Sequence, residues 1–329
     1  MSPVHHSIEL LCSPSGPAEN ALLAAEVDTW SRSTGTEVAV TRLADHKDGL
    51  RAYLTGAAAQ TTLVQVTPDV VFELARDKVL ATPPDEITTP AVRAALGPAF
   101  EVDGRQWAVP KDYSLISLYQ RADGEAGGTI PSTFMNPVYE RIAPFLYAHG
   151  GGTVLDGGGG PESRPGNLAG LRRVQELFRE GMLTFPQQCG YGNTVTAARE
   201  GTALRALEGP WLPREVPAAW TTTSLQELTG GDTTLALTGG WAVTSGSDDI
   251  AWDLVRFLTA PATLERISRH SGPRSVHEIG DADDFRLLRP AAGSRSAIWS
   301  WQALITAIPD GRLEPLADAL SVADIGELT

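Results

Sequence analysis

The chain carries few groups for covalent or metal chemistry. Its two cysteines, Cys12 and Cys189, match no metal-ligand or redox spacing, and no GxSxG, HExxH or phosphate-loop pattern occurs. His149 and Asp112 have the side chains for acid–base work, but a lone histidine beside glycines ordinarily serves structure. What the chain does have is aromatic surface, with eight tryptophans. A flat ring beside carboxylates and hydroxyls suits a polar ligand with C–H faces, at about 0.5–1.5 kcal/mol per ring by analogy with ring pairs. Trp30 and Trp252 fall on the apolar faces of amphipathic runs and read as core, as does Trp107. Trp211 follows Gly209-Pro210, Trp241 follows Gly239-Gly240, and Trp299 lies in "SAIWSWQALITAI".

The elements that must position these residues begin with an alternation. "IELLC" (8–12), "EVAVTRL" (37–43) and "TLVQV" (62–66) read as strands. Between and after them come a helix carrying Leu23, Val27 and Trp30, a helix around 47–59, and a helix near 69–78. Pro17 suits the first helix start and Gly35 its stop. This order predicts a parallel sheet with right-handed crossovers, which binds ligands at the carboxyl ends of its strands. The loops at 13–17 and 67–69 therefore supply candidates: Ser13 and Ser15, and Asp69, which equally suits a helix cap.

Further on, "EVDGRQWAVPKDYSLISLYQRAD" (101–123) reads as two strand-like runs around Pro110, with Asp103-Gly104 as a turn. The glycine-rich 149–166 is either a flexible loop or a close backbone approach. A helix follows over 167–180. "LALTGGWAV" (235–243) reads as a strand whose glycines allow a bend or the near approach of another group. Ser247, Asp248 and Asp249 can cap the next helix, whose buried face is Ile250, Leu254, Phe257 and Leu258, and a last helix spans 261–269.

With 329 residues the chain is long enough for two lobes or one large domain. A net charge of -14 without a clustered basic patch argues against nucleic acid, and no run approaches the roughly 18 apolar residues of a membrane span. The segment "MSPVHHSIELLC" lacks the basic and apolar regions of a secretory signal. The expected location is cytoplasmic if the chain begins at Met1, and extracytoplasmic if it has been trimmed.

Taken in order, these segments resemble the carbohydrate-type extracellular solute-binding proteins of ABC importers. "VDGRQWAVP…LISLYQRAD" resembles the family's first crossing strand and "FLYAHGGGTVLD" its second-lobe entry. "REGTALRALEGPW" (199–211) is similar to a small-residue helix ending in Gly-Pro-Trp. "GGWAVTSGSDDIAWDLVRFLTAP" resembles the second crossing strand with its helix, and "SGPRSV" the turn beyond.

The resemblance implies an α/β, two-lobed periplasmic-binding-protein-like clamshell of type II, with a crossing-strand hinge at Gly239 and Gly240. The implied lobes are 1–113 plus about 245–295, and about 114–244 plus 296–329. It implies a sugar-like ligand, ABC permease subunits as partners, a monomer, and neither cofactor nor metal. Trp211 and Trp299 match positions where tryptophan packs on sugar, Trp241 faces cleft or core, and Asp69 matches a carboxylate that accepts from hydroxyls. Ser114 stands where the maltose-binding member of the family has a carboxylate, a departure that argues against maltose itself. Glu140 falls near a second-lobe aromatic site, and Asp112 lies in the first crossing. Two departures remain, a second lobe that looks shortened and the absent leader. They leave a second expectation, an intracellular protein of this fold reused as an enzyme, for example a biosynthetic cyclase, or as a ligand sensor.

Overall fold

The protein is described from a computed structural model over residues 7–13, 16–43, 50, 53–54, 62–123, 131–159, 161–247, 249–279, 285–289 and 294–310. The chain forms two compact units, Met1–Tyr113 with Thr238–Asp281, and Ser114–Leu237 with Ala282–Thr329.

In the first unit four of the six residues of β1 (Ser7–Cys12) are buried. Helix α1 (Pro17–Thr34) starts on a proline, whose missing N–H costs nothing there, and ends at Gly35 with φ 73°. Its buried stripe is Leu23, Val27 and Trp30. Strand β2 (Glu37–Arg42) and strand β3 (Thr62–Val66) flank β1 in parallel register, Leu10 opposite both Val40 and Leu63. The helix expected over 47–59 lies outside the described residues apart from 50, 53 and 54. Helix α2 (Pro68–Arg76) follows β3. Strands β4 (Glu101–Val102) and β5 (Arg105–Gln106) form a hairpin whose turn residues Asp103 and Gly104 both have positive φ.

Strand β6 (Val109–Leu115) carries the chain into the second unit. There β7 (Ser117–Arg121), β8 (Thr133–Met135), β9 (Leu183–Thr184), β10 (Arg205–Glu208) and β11 (Trp220–Thr223) make a sheet in the order β11-β7-β10-β8-β9. Helix α3 (Tyr139–Ala148) packs on α4 (Arg164–Arg179) at backbone distance: a Cβ on Gly170 would lie 2.6 Å from the Phe145 carbonyl oxygen. Within the glycine-rich stretch a Cβ on Gly166 would lie 2.4 Å from Gly151 N, so the stretch is a close approach. Asn167 pairs with both the N–H and the carbonyl of Gly152 at 2.9 Å, and the Asp156 carboxylate accepts from Gly158 N–H at 2.9 Å and Tyr139 Oη at 2.8 Å. Arg286 donates to the Gly151 carbonyl at 2.9 Å and lies over the Tyr147 ring at 4.5 Å. Burial, and then the Asp156 charge, push the Tyr139 hydroxyl well above its ordinary range.

The small-residue helix expected over 199–211 is instead β10 followed by a turn into the short α5 (Leu212–Glu215). All four β10 residues are buried, and the strand is paired on both sides, by β7 and β8. Tertiary pairing overrides the helical propensity of "RALE".

Strand β12 (Thr234–Val243) runs back. Its first residues pair with β14 (Phe285–Leu287) in the second unit, and Gly240–Val243 pair antiparallel with β3 in the first. The division at Leu237/Thr238 therefore falls inside the strand, upstream of the expected 244. Helices α6 (Asp249–Thr259) and α7 (Pro261–Ser271) then cover the first unit's sheet, and β13 (Arg274–Ser275) pairs with β6. Trp30, Trp241 and Trp252 join Ile8, Leu10 and Leu254 in that unit's core, where each fully buried aliphatic side chain contributes about 1.5–3 kcal/mol. Helix α8 (Ser294–Ala307) brings Trp301 into the second unit's core, 5.7 Å from the Tyr139 ring. Among the described residues no helix is long and apolar enough to cross a membrane.

Candidate functional site

A small cavity, with room for about one water molecule, lies in the first unit. Its walls are Gln65 of β3, Lys111 and Asp112 of β6 and Trp241 of β12, with Glu19 and Leu23 of α1 and side chains of α6 and α7. Most of this wall is apolar; its charge is concentrated in one cluster. Lys111 is 8% exposed and forms a close ion pair with Asp112 Oδ2, while its Nζ lies 3.7 Å from Glu19 Oε1. Burial alone would push the Lys111 ammonium down, but the Asp112 and Glu19 carboxylates outweigh it and hold the ammonium above its ordinary range. The Nζ also sits 6.0 Å from the Trp241 ring centroid.

Asp112 takes a second donor, the Gly239 N–H at 3.1 Å from Oδ1. That contact explains Gly239, whose Cβ would lie 3.0 Å from Asp112 Oδ1 and 3.1 Å from Lys111 Cε. Gly240 has a different neighbour, the fully buried Phe100 ring, with a Cβ placed 2.9 Å from its Cζ. Both glycines are positions of close approach. Ser13 is tied to the cavity wall by its N–H, which donates to Gln65 Oε1 at 3.3 Å. Next to it Cys12 is buried, and desolvation raises its thiol pKa against the pull of Arg42 and Lys111. A carboxylate offers about four acceptor positions, so Asp112, with two used among the described residues, has capacity for a ligand hydroxyl.

The second unit presents a different arrangement around Trp211. Glu208 ends β10 and is 1% exposed. Its Oε1 pairs closely with Arg141 Nη2 and accepts the Gly209 N–H at 3.0 Å, and its Oε2 accepts from Asn136 Nδ2 at 3.0 Å. Arg141, in the first turn of α3, is 5% exposed, and its guanidinium carbon lies 5.5 Å from the Trp211 ring centroid. The half-buried Trp211 ring folds back on Gly209, where any Cβ would overlap it. The turn is held by the Gly209 and Trp211 carbonyls, which accept from Leu212 N at 3.1 Å and Arg214 N at 2.9 Å. The result is an aromatic face braced from within the unit.

The remaining candidates are placed as follows. Asp69 is 6% exposed in the first turn of α2 and does not line the cavity, whereas Asp112 and Trp241 do. Ser114 is 5% exposed in β6, and Glu140 is half-buried beside Arg141 in α3. His149 is exposed just after α3. Ser15 and Asp248 lie outside the described residues, as does the side chain of Trp299 within α8. Lys111, Glu19, Arg141 and Glu208 escape a search by motif. Their signal is a charged residue inside an otherwise apolar strand, as in "VPKDY" and "ALEGPW", or at the start of a helix. Among the described residues no group of three or more His, Cys, Asp or Glu side chains could hold a metal ion.

No protein-family model and no curated protein sequence matches the chain. Solved structures do match over nearly the whole length of both chains. The maltotriose binding protein of Thermus thermophilus, bound with maltotriose, aligns with a TM-score of 0.76 at 17% identity, covering 96% of this chain and 98% of that one. An ABC substrate-binding protein of Listeria monocytogenes in complex with cycloalternan gives 0.78 at 13%, covering 98% and 97%. The GacH receptor of Streptomyces glaucescens, solved unliganded and with acarbose, gives 0.79 at 14%, with the same coverage. The chain therefore has the two-lobed α/β fold of the maltose-binding-protein-like substrate-binding proteins.

Proposed function

We propose that the chain is a solute-binding protein that holds a carbohydrate and delivers it to the permease of an ABC importer, outside the cytoplasm and as a monomer. The braced Trp211 face carries this reading. A half-buried indole, fixed on one side by a glycine and a buried guanidinium, offers a pre-positioned apolar plane of the kind that pyranose C–H faces require. Asp112, at the wall of the first unit's small cavity, adds a hydroxyl acceptor. The fold likeness supports the reading, since the comparison structures are of binding proteins or a receptor, with maltotriose, cycloalternan or acarbose as ligand.

Titration of the purified chain with maltotriose, then with a panel of oligosaccharides, tests it. A bound sugar at 100 times its Kd stabilises the fold by about 2.7 kcal/mol, a readily measured rise in melting temperature. Trp211→Ala should weaken binding by about tenfold or more. Full affinity in that variant, or a shift produced only by non-carbohydrate ligands, would sink the proposal.

A further inference from the structure

The ion pair behind Trp211 has no place in ligand contact as described so far, yet it is expensive to bury. Arg141 and Glu208 are 5% and 1% exposed, and a buried ion pair is weak evidence for stability, because the desolvation penalty consumes most of the attraction. Apolar residues of similar size would serve a core at least as well. The pair is also over-determined on one side only. Glu208 has Arg141, Asn136 and Gly209 as donors, and Asn136 is itself anchored by accepting from Thr194 N at 3.0 Å and Thr194 Oγ1 at 3.2 Å. The Nε of Arg141 is buried without a hydrogen-bond partner among the described residues. The guanidinium is therefore held from the Glu208 side while it lies against the indole.

We infer that Arg141 is a positioning residue for Trp211, oriented by Glu208, and that this pair sets the angle at which the indole is offered to a ligand. This inference rests on the carbohydrate reading of Trp211 but deepens it. Glu208 ends β10 and Trp211 opens α5, so strand end, guanidinium and ring form one chain of contacts. A planar guanidinium stacks on a ring where a lysine ammonium cannot, so Arg141→Lys would keep the charge and lose the orientation.

Two measurements test it, and only one needs a ligand. The Trp211 indole N–H signal in an NMR spectrum is assigned by its absence in Trp211→Phe. In R141K, and in R141M/E208Q, which avoids an orphaned charge, it should shift or split, while the other indole signals stay in place. An unmoved signal in both variants overturns the inference. The second measurement is a cycle of maltotriose affinities across R141M/E208Q and W211A. The double variant should bind about three- to tenfold more weakly in the Trp211 background, the size of one well-placed aromatic contact, and have no further effect once Trp211 is alanine. An equal loss in both backgrounds overturns the inference. If the native chain binds no sugar at all, the carbohydrate reading fails while the indole signal still decides the positioning role.

Discussion

Gly239 and Gly240 differ in what an added methyl would strike, and that difference is a quantitative test of why two glycines stand in β12. At Gly240 a Cβ would lie 2.9 Å from Phe100 Cζ and 3.2 Å from the Val109 carbonyl oxygen, with ordinary contact beginning at 3.4 Å, so something must yield by 0.5 Å. Phe100 is 0% exposed and the other neighbour is backbone, so neither yields cheaply. Overpacking of this kind costs about 1–3 kcal/mol, and removing a glycine from the unfolded chain returns about 0.4–1 kcal/mol. Gly240→Ala should therefore lose about 1–2 kcal/mol, or about 2–8 °C in melting temperature at about 2–4 °C per kcal/mol. Gly239→Ala meets Asp112 Oδ1 at 3.0 Å and Lys111 Cε at 3.1 Å, side-chain atoms that need give only about 0.3–0.4 Å to reach ordinary contact. Its melting temperature should fall less than that of Gly240→Ala, while affinity for a carbohydrate ligand, on the reading proposed above, falls severalfold as Asp112 is displaced. Differential scanning fluorimetry and isothermal titration read both quantities. A Gly240→Ala variant that melts at or above the native temperature would refute close packing as the reason for that glycine.

Lys111→Met leaves Asp112 and Glu19 facing each other without their cation. It should cost about 2–4 kcal/mol in urea unfolding, less than a fully enclosed pair because each carboxylate side chain keeps 19% of its surface exposed. The native ammonium is held above 10.5, so the pair's contribution is fully present below that value and is lost only as pH rises through the raised one. The stability gap between native and Lys111→Met should accordingly stay flat from about pH 6 to about 9 and close only in stronger alkali. Gly170→Ala should destabilise by about 1–2 kcal/mol, because forcing α3 from α4 outweighs the roughly 1 kcal/mol of added helix propensity. Gly192→Ala, with open space around it, is the matched control and should melt unchanged.

Much of the fold is legible in the residues because local signals and tertiary structure agree there. The period-2 and period-3.6 patterns, with Pro17, Gly35 and the Asp103-Gly104 turn, locate β1, α1, β3 and the hairpin to within a residue or two. The segment at 205–208 is misread because pairing on both edges, which no local pattern reveals, makes a strand of a helix-forming tetrapeptide. Trp211 and Trp241 stand out by type and by their glycine neighbours. Arg141, Glu208 and Lys111 do not, since a charge in an apolar run reads as an exposed position until its partner, 67 residues away for Arg141, is known.

The passage of β6 out of the first unit and the return of β12 also govern the order in which the protein can be completed on the ribosome. The 124 residues 114–237 are synthesised before β12, the antiparallel neighbour of β3, exists. At about 5–20 residues per second this is roughly 6–25 s during which the edge of β3 has no β12 to cover it. The second unit's five-stranded sheet is complete by Thr223, so it can form while the earlier half of the nascent chain still waits. A chain that leaves and re-enters a unit thus makes its inserted segment before the edge of β3 is covered, and that edge is the part of the first unit left open to wrong pairing.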